Sequence, residues 1–168
     1  QSELKALLSQ DDVDLSLVYY YLGNISPDIA DAVNYLRLAT EQDPRVTFPF
    51  AFYGNALRRI GNLEEARHVY QNALTRNAED AGSMRGLSVL ELLDGSLEAA
   101  LATARKAYEL EPTGLFIPET LIVMLHESGL RDEADAVLEE ITALGFEADP
   151  DFAEYLEGRI TARDYYTR

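Results

Sequence analysis

The chain has 168 residues, of which 14 are Lys or Arg and 30 are Asp or Glu, so its formal net charge is −16. This charge repels phosphate backbones and anionic lipid headgroups, which argues against nucleic acid or a membrane surface as the main partner. Because the chain contains no cysteine, it cannot form a disulfide framework, a thiolate metal site or a thiol nucleophile.

The first residues carry an apolar stripe at helical spacing, formed by Leu4, Leu7 and Leu8, which predicts a helix within residues 1–12. They include neither a basic leader nor a long apolar stretch, and no window of the chain has the roughly 18 apolar residues of a membrane span. We therefore expect a soluble protein, either cytoplasmic or periplasmic and extracytoplasmic. The chain begins with Gln, which favours a processed protein or a piece of a longer one.

Helical spacing continues through the middle of the chain, whereas strand-like alternation is poor. Between Leu63 and Leu74 the apolar side chains stand three or four residues apart and form one stripe. Asn62 is placed to cap this helix, and Glu65 follows three residues later, as in a capping box. The pattern predicts an all-α chain.

Residues of similar type recur every 34 positions, with no insertion between them. The columns are Ala32, Ala66, Ala100 and Ala134; Ile29, Leu63 and Leu97; Gly61, Gly95 and Gly129; Ala39, Ala73 and Ala107; and Pro44, Ala78 and Pro112. Five columns in one frame indicate an internal repeat. The frame divides the chain into four units, 13–46, 47–80, 81–114 and 115–148.

The repeated unit has a simple physical explanation. Its first helix ends in a tight turn at the glycine column, where a positive φ costs little. The small alanine lets the second helix approach the first closely, and the proline column ends it. Each pair of helices leaves an apolar face that only the next pair can cover, so the units must stack.

This pattern resembles the tetratricopeptide repeat. The stretch from Phe50 and Tyr53 through Gly54 and Gly61 to Ala73 looks like a near-complete copy. The resemblance implies a right-handed α-solenoid of stacked antiparallel helix pairs, a superhelix formed by one domain over residues 1–168. Residues 1–12 would form an N-terminal helix and residues 149–168 a C-terminal capping helix.

The outer units depart from the family pattern. Tyr20 and Ile122 replace the small residue in the middle of the first helix, Arg131 replaces an apolar residue, and Phe146 stands where proline would close the last unit. Terminal repeats are often atypical because they meet solvent or a cap. Two interpretations of the ends stay open: they are caps, or the chain is part of a longer array, which the missing initiator Met favours.

Signals for catalysis are weak. His126 and Glu127 lack the second histidine that a zinc-binding helix needs, and no nucleophile elbow, phosphate loop or dinucleotide fingerprint occurs. Carboxylates at this density on helices usually form solvated faces. We predict a protein that is not an enzyme and that has no cofactor and no metal site.

The resemblance further implies a concave groove lined by the first helices, and the family's ligand-contacting places fall on an apolar, aromatic-rich set with three arginines. The predicted peptide-binding residues are Tyr21, Phe48, Phe52, Asn55, Arg58, Arg59, Arg85, Val89, Phe116 and Val123. Arginine offers two parallel hydrogen bonds to a carboxylate, so an acidic group is one candidate ligand. The alternative for each residue is structural: packing of the phenylalanines between units, and pairing of the arginines with neighbouring acids.

Two functions are compatible with these sequence features. The first is a non-catalytic scaffold that binds a protein or peptide segment in the groove, with no nucleic-acid partner and no membrane insertion. The second is an assembly module that self-associates or continues a longer repeat array through its end helices. An enzymatic function would need residues outside this chain.

Overall fold

The computed structural model describes residues 1–10, 13–43 and 45–167. Over these residues the fold is all-α, with eleven helices and no strand. The helices are α1 Ser2–Leu7, α2 Leu15–Asn24, α3 Ile29–Gln42, α4 Phe48–Arg59, α5 Leu63–Arg76, α6 Ala81–Leu93, α7 Leu97–Leu110, α8 Ile117–Glu127, α9 Arg131–Ala143, α10 Pro150–Leu156 and α11 Ala162–Thr167. Each of the four predicted 34-residue units contains two of them.

The chain also divides into two larger compact parts, Gln1–Ser83 and Met84–Arg168, and the division falls inside α6. We call these parts the first and the second unit, and we call the 34-residue segments repeats. In the first unit, α2 packs on α3, α3 on α4 and α4 on α5. Small residues permit this close packing: Ala66 and Ala73 of α5 have no exposed surface, and Gly54 of α4 lies directly against the ring of Tyr70. A side chain at position 54 would occupy the space that this ring fills.

In the second unit, α8 packs against both α7 and α9. Every residue from Ile117 to Leu125 is buried as a result. Ala100, Ala104 and Ala107 supply the small face of α7. The two-sided burial of α8 explains its uninterrupted apolar run from Leu121 to Leu125.

The turns inside the helix pairs follow the predicted glycine column. Gly61 has φ +79°, its N–H bonds the carbonyl of Arg58, and the N–H of Asn62 bonds the carbonyl of Leu57. These are the two hydrogen bonds of a Schellman motif, which needs a left-handed residue at this place. The same pair of bonds recurs at Gly95 and Gly129, so one turn geometry sets the crossing of three helix pairs.

The proline column is more varied. Pro44 lies outside the described residues, and Pro112 follows the end of α7 at Leu110. In the last repeat, a glycine turn at Gly145 ends α9 as the turn at Gly129 ends α8, so no proline is needed after α9. Phe146 uses this place differently, because its ring packs edge-on against Phe152 at 6.1 Å.

The C-terminal segment 149–168 is predicted to cap the array, with 149–163 resembling another first helix and 163–166 the start of a second one. It forms two short helices, α10 and α11, which pack on each other. The physical reason is Gly158, whose φ of +71° ends α10 in another Schellman turn. Asp149 starts α10 by accepting the N–H of Phe152 at 2.9 Å. At the other end of the chain, α1 occupies part of the predicted helix at 1–12, and residues 11 and 12 lie outside the described residues.

Candidate protein-binding surface

Aromatic side chains of α2 and α4, the first helices of the first and second repeats, meet in the first unit. The ring of Tyr20 on α2 contacts two rings of α4, edge to face, at 4.8 Å from Phe48 and 4.9 Å from Phe52. Phe48 and Phe52 lie one helical turn apart, so both project from the same side of α4. Burial raises the pKa of Tyr20, although its hydrogen bond with Asn24 opposes this shift. The three rings therefore form a fixed platform with a partly buried base.

The outer edge of this platform is exposed and apolar. The exposed fractions are 51 % for Tyr21, 38 % for Leu17 and 37 % for Phe48. Leu17 and Tyr21 are four residues apart and share one face of α2, and Tyr21 contacts Tyr20 at 5.2 Å. We call Leu17, Tyr20, Tyr21, Phe48 and Phe52 the aromatic surface. Contiguous exposed apolar surface of this kind marks interaction sites in proteins.

Asn55 continues the same face of α4, because positions 48, 52 and 55 lie within about 60° around the helix axis. Its side-chain oxygen accepts a hydrogen bond of 2.8 Å from the hydroxyl of Tyr70, which has no exposed surface. Asn55 therefore helps to satisfy a buried tyrosine of α5. A role in binding a ligand stays a prediction.

Arg58 and Arg59 end α4 and differ in exposure. Arg59 lies on the same helix face as Phe48, Phe52 and Asn55, and it is exposed. Arg58 is turned by about 100° from it and is half-buried. Both positive charges are favourable at a helix C-terminus. Of the two, Arg59 is the exposed one on the helix face that carries Phe48 and Phe52.

Arg85 lies in the second unit and is only 6 % exposed. Its guanidinium stands 5.8 Å from the centre of the Phe116 ring, within the range of a cation–π contact. Burial raises the pKa of the nearby Glu119, and the charge of Arg85 opposes that shift. Arg58 and Arg59 belong to the other unit, so the clustering of all three arginines stays a prediction.

Val89 and Val123 require a correction. Both were expected to line the groove, but neither has any exposed surface. Position 123 faces a neighbouring helix because α8 is covered on both sides, by α7 and by α9. Phe116, just before α8, is 41 % exposed. A ligand can therefore touch Phe116 but not the two valines.

A sequence model of the tetratricopeptide repeat family matches residues 54–114, which run from α4 to the residues after α7. Residues 54–114 are therefore similar to tetratricopeptide repeats. The match covers most of the second and third repeats, where Gly54, Gly61 and Gly95 occupy the positions described above. No curated protein sequence matches the chain.

The similarity to solved structures of the same fold covers more of the chain than the family model does. A crystal structure of MamA is 21 % identical over 84 % of this chain and 86 % of that one, with a TM-score of 0.60. A second MamA crystal structure is 19 % identical over 81 % of this chain and 79 % of that one, with a TM-score of 0.57. A MamA RS-1 ArsTM double mutant is 19 % identical over 84 % of this chain and 81 % of that one, with a TM-score of 0.58. At these identities the likeness shows the fold. The repeat family matched at residues 54–114 is typical of protein–protein interaction scaffolds.

Within the described ranges, no group of three or more His, Asp or Glu side chains is placed to hold a metal ion. None of the described helices is long and apolar enough to cross a bilayer. His126, considered above for zinc, instead packs 6.0 Å from the ring of Tyr155.

Sequence reasoning missed the segment that follows α9. Residues 144–147 and Asp149 line a cavity in the second unit together with the start of α8. A signal was present, since Phe146 breaks the proline column and Glu147 and Asp149 follow it. The frame alone could not show that this segment folds back beside α8.

Proposed function

We propose that the chain is a non-catalytic scaffold that binds a segment of a partner protein on the aromatic surface of its first unit. The observation that carries the proposal is the exposure of Leu17, Tyr21 and Phe48 around a fixed aromatic base. Large, stiff aromatic side chains provide contact area at little cost in side-chain entropy, and they dominate the binding energy of many interfaces.

Arg59 adds a preference for a negative charge. It lies seven residues after Phe52 on the same face of α4, which places it roughly 10 Å further along the helix. An extended peptide covers this distance with about three residues. The favoured partner segment therefore has an apolar residue for the aromatic surface and an Asp, a Glu or a C-terminal carboxylate about three residues away.

The experiment selects peptides from a displayed random library on the full chain and measures their affinity by titration. Changing Tyr21→Ala or Arg59→Glu should weaken the selected peptides about tenfold, the scale of one good apolar anchor or one charged hydrogen bond. Matched controls outside the surface are Leu110→Ala, an exposed leucine of α7, and Lys106→Glu, which makes the same change of charge.

Selected peptides that bind equally well to Tyr21→Ala and to the unchanged chain would contradict the proposal. The assembly alternative is tested by sedimentation of the chain without peptide. Growth with concentration that Tyr21→Ala abolishes would assign the aromatic surface to self-association and not to a partner segment.

A further inference from the structure

A cavity of about 450 Å³ lies in the second unit. Its walls are the turn before α8, the first turn of α8, the end of α9 and the segment that joins α9 to α10. The volume falls within the range of natural ligand pockets. The aromatic surface belongs to the first unit, so none of its residues lines this cavity.

One part of the cavity wall is apolar and open to solvent. Leu115 and Leu144 are the most exposed large apolar side chains of the described residues, at 64 % and 68 %. Phe116, Pro118 and Phe146 complete this part of the wall. Phe116 has φ +60°, a left-handed conformation that is uncommon for a residue with a side chain. Its carbonyl is held by the hydroxyl of Thr120 at 2.7 Å.

The other part of the wall carries three carboxylates, Glu119, Glu147 and Asp149. Asp149 has a structural role, since it caps α10 through the N–H of Phe152. Glu147 is exposed and solvated. The helix cap accounts for the position of Asp149, and all three acidic side chains contribute to this part of the wall.

Glu119 is the unusual one, because it is only 6 % exposed. Its own backbone N–H donates a hydrogen bond to its carboxylate, and burial nevertheless raises the pKa of this group. The positive charge of Arg85 lowers the pKa of Glu119 and so opposes the effect of burial. The negative charges of Asp149 and Glu119 raise the pKa of the Tyr165 hydroxyl. Burial of a carboxylate costs free energy because the charged group loses contact with water. A positively charged donor that a ligand brings into the cavity would recover part of that cost.

We propose that this cavity binds a lysine or arginine side chain of a partner protein, with apolar residues beside it in the partner's sequence. The cationic group would donate to Glu119 and lie near Glu147, and charge-assisted hydrogen bonds of this type are among the stronger ones in proteins. The apolar neighbours would cover Leu115, Phe116 and Leu144. The net charge of −16 attracts basic segments from a distance.

The test uses the full chain, labelled for NMR, and two peptides: acetyl-Leu-Lys-Leu-amide and its analogue with norleucine in place of lysine. Titration at millimolar peptide should shift the backbone signals of Gly114 and Gly145, which line the cavity. The lysine peptide should bind about tenfold more tightly than the norleucine peptide, and Glu119→Gln should remove that difference. Glu147→Gln should reduce it in part.

The matched control is Glu98→Gln, which removes an exposed carboxylate of α7 outside the cavity. It should leave the affinity for the lysine peptide unchanged. Three results would overturn the proposal: equal binding of the two peptides, shifts confined to residues away from the cavity, or an equal loss with Glu98→Gln and Glu119→Gln. The last of these would mean that the peptide responds only to the overall charge of the protein.

Discussion

Gly54→Ala tests the close contact between the two helices of the second repeat. An added Cβ at this position would lie 2.3 Å from Cε1 of Tyr70 and 2.6 Å from its Cζ, whereas carbon atoms in contact are about 3.5 to 4.0 Å apart. The ring cannot move aside easily, because Tyr70 has no exposed surface and its hydroxyl bonds Asn55 at 2.8 Å.

The expected cost can be worked out from two opposing effects. Overpacking a well-filled core costs typically about 1 to 3 kcal/mol, and the depth of this overlap favours the upper end. Alanine is a better helix former than glycine by about 1 kcal/mol. The net destabilisation is therefore about 2 kcal/mol, which corresponds to a fall of roughly 4 to 8 °C in Tm for a chain of this length.

The assay is thermal unfolding followed by circular dichroism. Gly82→Ala serves as the control, because its Cβ would meet Ala51 Cβ at 3.1 Å, a contact that small adjustments can relieve; we expect little change in Tm. Combining Gly54→Ala with Tyr70→Leu should cost less than the sum of the two single changes, since leucine removes the ring. A Gly54→Ala variant that melts at or above the unchanged chain would refute the reasoning.

Two further predictions concern the second unit. Ala100→Leu should overpack the buried face of α7 and lower the free energy of unfolding by about 1 to 3 kcal/mol; an unchanged urea midpoint would argue against the repeat register. Glu119→Gln should raise Tm at pH 7 but not at pH 4. Burial raises the pKa of this carboxyl in the folded state above its ordinary value of 4.5. Ionisation of Glu119 therefore costs the folded state free energy, and the unchanged chain loses stability relative to the variant as the pH rises from 4.5 through the raised pKa. Equal Tm differences at both pH values would contradict this assignment.

Much of the helix pattern could be predicted from residues close together in the sequence. The columns at Gly61, Gly95 and Gly129 predicted the turns because a Schellman motif requires a left-handed residue at a fixed place, and the structure shows a positive φ at all three. The capping role of Asn62 is confirmed by its contacts with Glu65. The C-terminal segment was harder to predict, because Gly158 divides it and lies outside the repeat.

The site was only partly predictable. Tyr21 and Phe48 are exposed as expected, but Val89 and Val123 are core residues. A family position says which way a side chain leaves its helix, and it does not say how many helices cover that side. Arg85 shows the same limit, because its burial beside Phe116 depends on a residue 31 positions later in the chain.

The sequence by itself determined the period of 34, the helix pairs and the positions of their turns, since these follow from local backbone geometry and from hydrophobic spacing within a few turns. Only the tertiary structure decided which residues of the first helices meet solvent. It also decided that Glu119 becomes a buried carboxylate in the wall of a cavity. The physical reason is that burial and electrostatic environment are produced by segments far apart in the chain, here α8 and the residues after α9, whose approach no local pattern records.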